Sequence, residues 1–176
     1  MAEGLLRARL AYAGIPGTVS SAGLLYDGEP ASPPGVEVLR ARGVDISGHL
    51  SRIMQPEHLA AADLIVAMGR KHAREAVVMD RSVLSRTFTL KELVRRATEL
   101  PPMVGQSTDD YLTELTAGRA ARELLGDSDD DDIVDPIGKP IRAYERTAEE
   151  LDTLIDRMVG LIPDFAFAAD PGRRPA

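Results

Sequence analysis

The chain has 176 residues, 44% of them hydrophobic, which suits one domain built around one core. A formal net charge of −7 argues against binding a nucleic-acid backbone, which needs clustered Lys and Arg. The absence of cysteine excludes disulfides, thiolate metal sites and a cysteine nucleophile within these residues.

In chain order, Ala2, Leu5, Leu6, Leu10 and Ala13 recur at helical spacing, with Gly14 as a stop signal. Thr18 to Ala22 reads as a short strand closed by Gly23. Pro30, Pro33 and Pro34 mark a loop, and a proline suits the start of the helix expected over Val36 to Arg42, with Gly43 as a left-handed cap. His58 to Ala62 reads as a helical turn. Asp63 to Met68 is a near-continuous apolar run, the pattern of a strand covered on both faces. A helix over Arg70 to Met79 leads to a short strand over Arg86 to Leu90. Lys91 to Leu100 reads as a helix stopped by Pro101 and Pro102, and Asp109 to Leu125 as another. Asp127 to Asp132 is an acidic loop. Tyr144, Ala148, Leu151, Ile155, Met158 and Ile162 form the clearest amphipathic helix, ended by Pro163. Aromatics are only 4%, so Leu, Val, Ile and Ala must fill the core.

Strands alternating with helices imply parallel βαβ units and a sheet with helices on both faces. Residues 1–162 form the expected domain, and 163–176, with Pro and Arg, an expected disordered tail. Such sheets bind ligands beyond the carboxyl ends of their strands. No apolar run approaches the ~20 residues of a membrane span. Met1 to Leu10 carries Glu3, Arg7 and Arg9 and so holds no apolar secretory core. The cytoplasm is the expected location.

Asp135-Pro136 holds a carboxyl group on a loop beside a residue of fixed backbone angle, which suits a general acid; Asp-Pro is also a common turn starter. The histidines at 49, 58 and 72, without cysteines or a helical His-x3-His, do not make a metal site. Asp129 to Asp132 lacks the ligand spacing, central Gly and terminal Glu of a calcium loop and reads as a solvated acidic loop.

Several segments together resemble the low-molecular-weight protein tyrosine phosphatases. Met1-Ala2-Glu3-Gly4-Leu5-Leu6 is similar to the helix that follows that family's phosphate-binding loop. Ser21-Ala22-Gly23 resembles its Ser-Ala-Gly strand end. Gly43-Val44-Asp45-Ile46-Ser47-Gly48-His49-Leu50-Ser51-Arg52 resembles its Gly-Ile-Asp…His-x-Ser-Arg segment. Ala62-Asp63-Leu64-Ile65-Val66-Ala67-Met68 is similar to its buried third strand, and Asp135-Pro136 to its general-acid motif. The resemblance covers most of residues 1–162 and is weakest over 80–130.

The resemblance implies an α/β fold, a four-stranded parallel sheet with helices on both faces, whose first strand is absent from this chain. It implies phosphomonoester hydrolysis through a phosphocysteine intermediate, on a phosphotyrosine protein or a small aryl phosphate, without a cofactor. Asp135 takes the general-acid role. Ser21 and His49 match positions that support the phosphate loop. Tyr26, Pro136 and Ile137 match the pocket, with Ile137 where many members carry tyrosine, so ring stacking is lost there.

The family's first strand, nucleophilic cysteine and phosphate-binding arginine are not among these residues, so the chain as given is expected to be inactive. Two explanations compete. In one, Met1 is an internal methionine of a longer enzyme. In the other, the chain is a truncated, non-catalytic relative, a binding protein or a remnant. The preserved motifs favour the first. Arsenate reductases of the same superfamily need several cysteines, and response-regulator receivers need an aspartate closing the third strand, whereas Asp63 opens it.

Overall fold

The computed structural model describes residues 1–101 and 107–161. Pro102, Ile162, Pro163 and the tail expected to be disordered lie outside the described residues.

Strand β1 (Ile65–Ala67) pairs in parallel with β2 (Thr87–Thr89), with Ile65 opposite Thr87, Val66 opposite Phe88 and Ala67 opposite Thr89. Parallel neighbours need a long crossover. Here it is helix α4 (Arg70–Met79) followed by a 3-10 turn over Arg81–Arg86, whose start is capped by Asp80 accepting from the Ser82 N–H at 2.9 Å. Side chains alternate across β1. Ile65 and Ala67 pack toward α4 and toward Leu59 on helix α3 (Pro56–Ala60). Leu64, Val66 and Met68, with Phe88 of β2, enter the main core.

The main core fills the other face. Helix α1 (Ala2–Ala13), α2 (Pro33–Arg40) and α5 (Leu90–Glu99) all pack against the long α7 (Ile141–Leu161). The stripe predicted from spacing, Tyr144, Ala148, Leu151, Ile155 and Met158, is the face of α7 that is buried. Thr89 caps α5 by accepting from the Glu92 N–H at 3.1 Å. Gly43, expected as a left-handed cap, has φ of 77°.

Four expectations need correction. The four-stranded sheet is two-stranded among the described residues. Thr18 to Ala22 is not a strand. Gly23, just after it, forms an isolated parallel bridge with Ile53, outside the two-stranded sheet. A strand is defined by its partner, and the central strand that the resemblance calls for is not in this chain. The helix expected over 109–125 is shorter. Helix α6 runs Thr108–Thr116, Gly118 adopts φ of 73°, and a 3-10 turn follows over Ala121–Leu124. The acidic loop is not simply solvated: Asp131 is 5% exposed and bridges Arg70 (2.6 Å) and Arg95 (2.9 Å).

A second polar knot lies under α5. Glu92, 4% exposed, accepts from Arg96 at 3.0 Å and pairs with Arg119 at 2.9 Å, and Arg119 also lies 5.0 Å above the Phe88 ring. Arg96 reaches on to Glu123 at 3.0 Å. Removing the charge of Glu92 would leave the buried Arg119 without its ion-pair partner. Glu92→Gln is expected to lower the unfolding free energy by about 3 kcal/mol, read from urea denaturation. A loss under ~1 kcal/mol would mean that this knot behaves like a surface pair.

Candidate active site

The site is built on the first turn of α1. Glu3 and Arg7, one turn apart, pair with each other. The Glu3 carboxylate also accepts from the Ser21 hydroxyl at 2.5 Å and lies 3.6 Å from His49 Nδ1. Arg7 in turn donates to the Val19 carbonyl at 3.1 Å. One carboxylate thus ties α1 to two loops that are distant in the chain.

Close packing fixes the same corner. Gly4 has no room for a side chain, since a Cβ there would sit 2.6 Å from Ile46 Cγ2. The 43–49 loop is held by the Ser47 N–H donating to Asp45 at 2.9 Å and the His49 N–H donating to the Ile46 carbonyl at 3.0 Å. Between these parts opens a cleft of about 390 Å3, lined by Met1, Glu3, Gly4, Arg7, Asp45, Ile46, Gly48, His49, Leu50 and Arg52. The N-terminus of α1 faces it without a side-chain cap, so free backbone N–H groups and the positive end of the helix dipole favour an anion there.

Electrostatics follow from this geometry. Burial pushes the Glu3 carboxyl up, but the hydrogen bonds from Ser21 and Arg7 and the attraction of His49 and Arg7 outweigh it and hold the group below its ordinary value. Burial depresses the Met1 amine, with Glu3 partly opposing.

Of the residues singled out in the sequence, Ser21 and His49 meet on Glu3. Tyr26 stands apart, 60% exposed, on a loop pinned to residues 49–54 by the Gly23 N–H on the Arg52 carbonyl (2.7 Å) and the Gly28 N–H on the Ser51 carbonyl (2.8 Å). Asp135 lies on a separate loop. The Ile133 N–H donates to the Met68 carbonyl at 2.8 Å, just past β1, which sets this loop at the carboxyl end of that strand. Asp135 accepts from the Ile137 N–H at 2.9 Å, and Ile137 is 62% exposed. No hydrogen bond or ion pair among the described residues joins Asp135 to Glu3, Ser21 or His49. Nor do the described residues hold a group of three or more His, Asp or Glu arranged for a metal ion. A depression of about 400 Å3 over α7, lined by Lys91, Arg146 and Glu150 among others, contains none of these residues.

The residue that sequence reasoning missed is Glu3. Its signal was the pairing of Glu3 and Arg7 at helical spacing, which also reads as an ordinary surface pair.

The sequence profile described as "Low molecular weight phosphotyrosine protein phosphatase" matches residues 1–113. The chain belongs to this family. The match takes in α1, the Ser21 and His49 loops, β1 and β2, and stops short of Asp135. The chain is 30% identical over 146 residues to a protein-arginine-phosphatase of Geobacillus stearothermophilus, covering 82% of this chain and 76% of that one. The crystal structure of a low molecular weight protein tyrosine phosphatase from T. tengcongensis is 32% identical with a TM-score of 0.67, covering 90% of this chain and 87% of that one. The YwlE arginine phosphatase from Geobacillus stearothermophilus is 26% identical with a TM-score of 0.66, over 99% and 89%. The fold is therefore the α/β fold of these phosphatases, and the chain holds no cysteine to serve as their nucleophile.

The depressed Glu3 pKa gives a test of the junction. Ionised Glu3 contributes stability that is fully present above its ordinary pKa of 4.5 and is lost as pH falls through the lower folded value. The stability difference between the parent and Glu3→Gln is expected to shrink as pH is lowered from ~6 to ~3, measured by denaturant unfolding at each pH. A difference that stays constant would show that Glu3 titrates alike in both states.

Proposed function

We propose that this chain forms the scaffold and the proton donor of a phosphomonoester hydrolase that works through a phosphocysteine intermediate. The observation that carries this reading is the Glu3–Ser21–His49 junction beside the uncapped N-terminus of α1. It gathers three family-like motifs around an anion-favouring cleft. The nucleophile is not among these 176 residues, and in this reading it is supplied by a strand and Cys-x5-Arg loop joined ahead of Met1.

With that loop in place, the thiolate attacks phosphorus and the ester P–O bond breaks. The Asp135 carboxyl gives its proton to the leaving oxygen. Water then attacks the phosphocysteine, Asp135 takes its proton, and the S–P bond breaks to release phosphate and thiolate. Ser21, through Glu3, and His49 stiffen the walls on which the phosphate loop rests. Tyr26 and Ile137 supply the apolar sides of the pocket, which suits phosphotyrosine proteins or small aryl phosphates. The likeness to a protein-arginine-phosphatase supports a second substrate class, phosphoarginine, in which the same proton goes to the leaving nitrogen.

Alone, the 176 residues are expected to show no turnover of p-nitrophenyl phosphate. Fused to a strand and Cys-x5-Arg-Ser-Pro segment in frame with Met1, they are expected to turn it over, with Asp135→Asn lowering kcat by ~10²-fold or more. Phosphotyrosine and phosphoarginine peptides then rank the two substrate classes. A fused chain that folds but stays inactive would favour a non-catalytic binding role.

A further inference from the structure

The loop that bears Asp135 poses a mechanical problem. A proton donor must reach its target to within hydrogen-bond distance, and a misplacement of about 1 Å costs on the order of 10²-fold in rate. Ile133 packs against the main core, but Val134 and Ile137, nearer the carboxyl, are both exposed and do not anchor it. What holds the loop lies just upstream. Asp131 is clamped between Arg70, through two contacts at 2.6 and 2.7 Å, and Arg95 at 2.9 Å. Asp132 accepts from the Arg70 N–H at the start of α4 at 2.6 Å and from the Ser128 N–H at 3.0 Å. Lys91, at the start of α5, donates to the Asp132 carbonyl at 2.8 Å. Gly69 makes room for the Asp132 carboxylate at the Arg70 N–H, because a Cβ there would lie 2.9 Å from Asp132 Oδ1.

We propose that Asp131 and Asp132 are positioning residues that set the reach of the Asp135 carboxyl, by pinning its loop to the starts of α4 and α5. The proposal rests on Asp135 being the general acid. Two residues separate Asp132 from Asp135, so their Cα atoms are at most ~11 Å apart. Within it the Ile133 N–H is tied to Met68, and the Val134 carbonyl accepts from Thr147 at 3.1 Å. The chain therefore has little slack between the ionic clamp and the carboxyl. Burial pushes the Asp131 carboxyl up, but hydrogen bonds and charge from Arg70 and Arg95 hold it below its ordinary value, so the clamp is fully charged at neutral pH.

The test compares the parent chain with Asp131→Asn and with Gly69→Ala, which displaces the Asp132 carboxylate without touching Asp131. Amide hydrogen exchange at Ile133 and Ile137 is expected to speed up by ~10-fold or more in both variants, while Ile155 inside α7 exchanges as before. Unchanged exchange at Ile133 and Ile137 would overturn the proposal. In the fused chain, Asp131→Asn is expected to slow phenyl phosphate, a poor leaving group, ~10-fold more than p-nitrophenyl phosphate, which a general loss of stability would not do. If Asp135→Asn fails to produce that selectivity, the general-acid reading is wrong. If Asp135→Asn produces it and Asp131→Asn does not, the positioning role is wrong. Should Asp131→Asn unfold the chain, Arg95→Ala, which removes one half-exposed partner, gives the same two readouts.

Discussion

The parallel pairing of Ile65–Ala67 with Thr87–Thr89 is the constraint from which the rest follows. Parallel strands cannot be joined by a tight turn, so α4 must cross one face, and its N-terminus must start where β1 ends. That start receives Asp132, and the residue before it, Gly69, is one where a side chain would collide with that carboxylate. The end of β2 feeds directly into α5, which presents Lys91 and Arg95 to the same loop. The other face of the strands gives Val66 and Phe88 to the core that α1, α2, α5 and α7 enclose. Two short strands thus fix the loop that bears Asp135 and line the core on which α1 also packs.

The helices were legible because their signals are local. Periodicity showed α1 and α7, a proline pair marked the end of α5, and Gly43 marked the end of the α2 turn. The failures share one cause, namely partners that lie far away or outside these residues. Thr18 to Ala22 has the composition of a strand, but pairing is a property of two segments. The acidic run looked solvated because Arg70 and Arg95 lie 61 and 36 residues from Asp131 in sequence, beyond the reach of any local pattern. The break after α6 turns on Gly118, whose positive φ is invisible until the chain is folded.

The site was partly legible for the same reason. Ser21 and His49 came from motif order, and they do meet, but through Glu3, which neither motif names. Asp135 stands on a loop that shares no direct bond with them, and the family profile ends at residue 113, before it. Its loop is tied instead to the end of β1, through Met68, and to α4, through the Asp131 clamp. In the proposed mechanism, anion binding at the head of α1 and proton donation from the Asp135 loop are separate physical tasks, given to separate parts of the fold.

The central claim is that these two parts converge on one phosphoryl group once a thiol-bearing loop precedes Met1. A crystal structure of the fused chain with vanadate bound at the introduced cysteine measures this directly. The account predicts an Asp135 carboxyl oxygen within about 3.2 Å of the apical vanadate oxygen, with the equatorial oxygens at the N-terminus of α1. An Asp135 carboxyl more than about 6 Å away, beyond reach even through one bridging water, would contradict it.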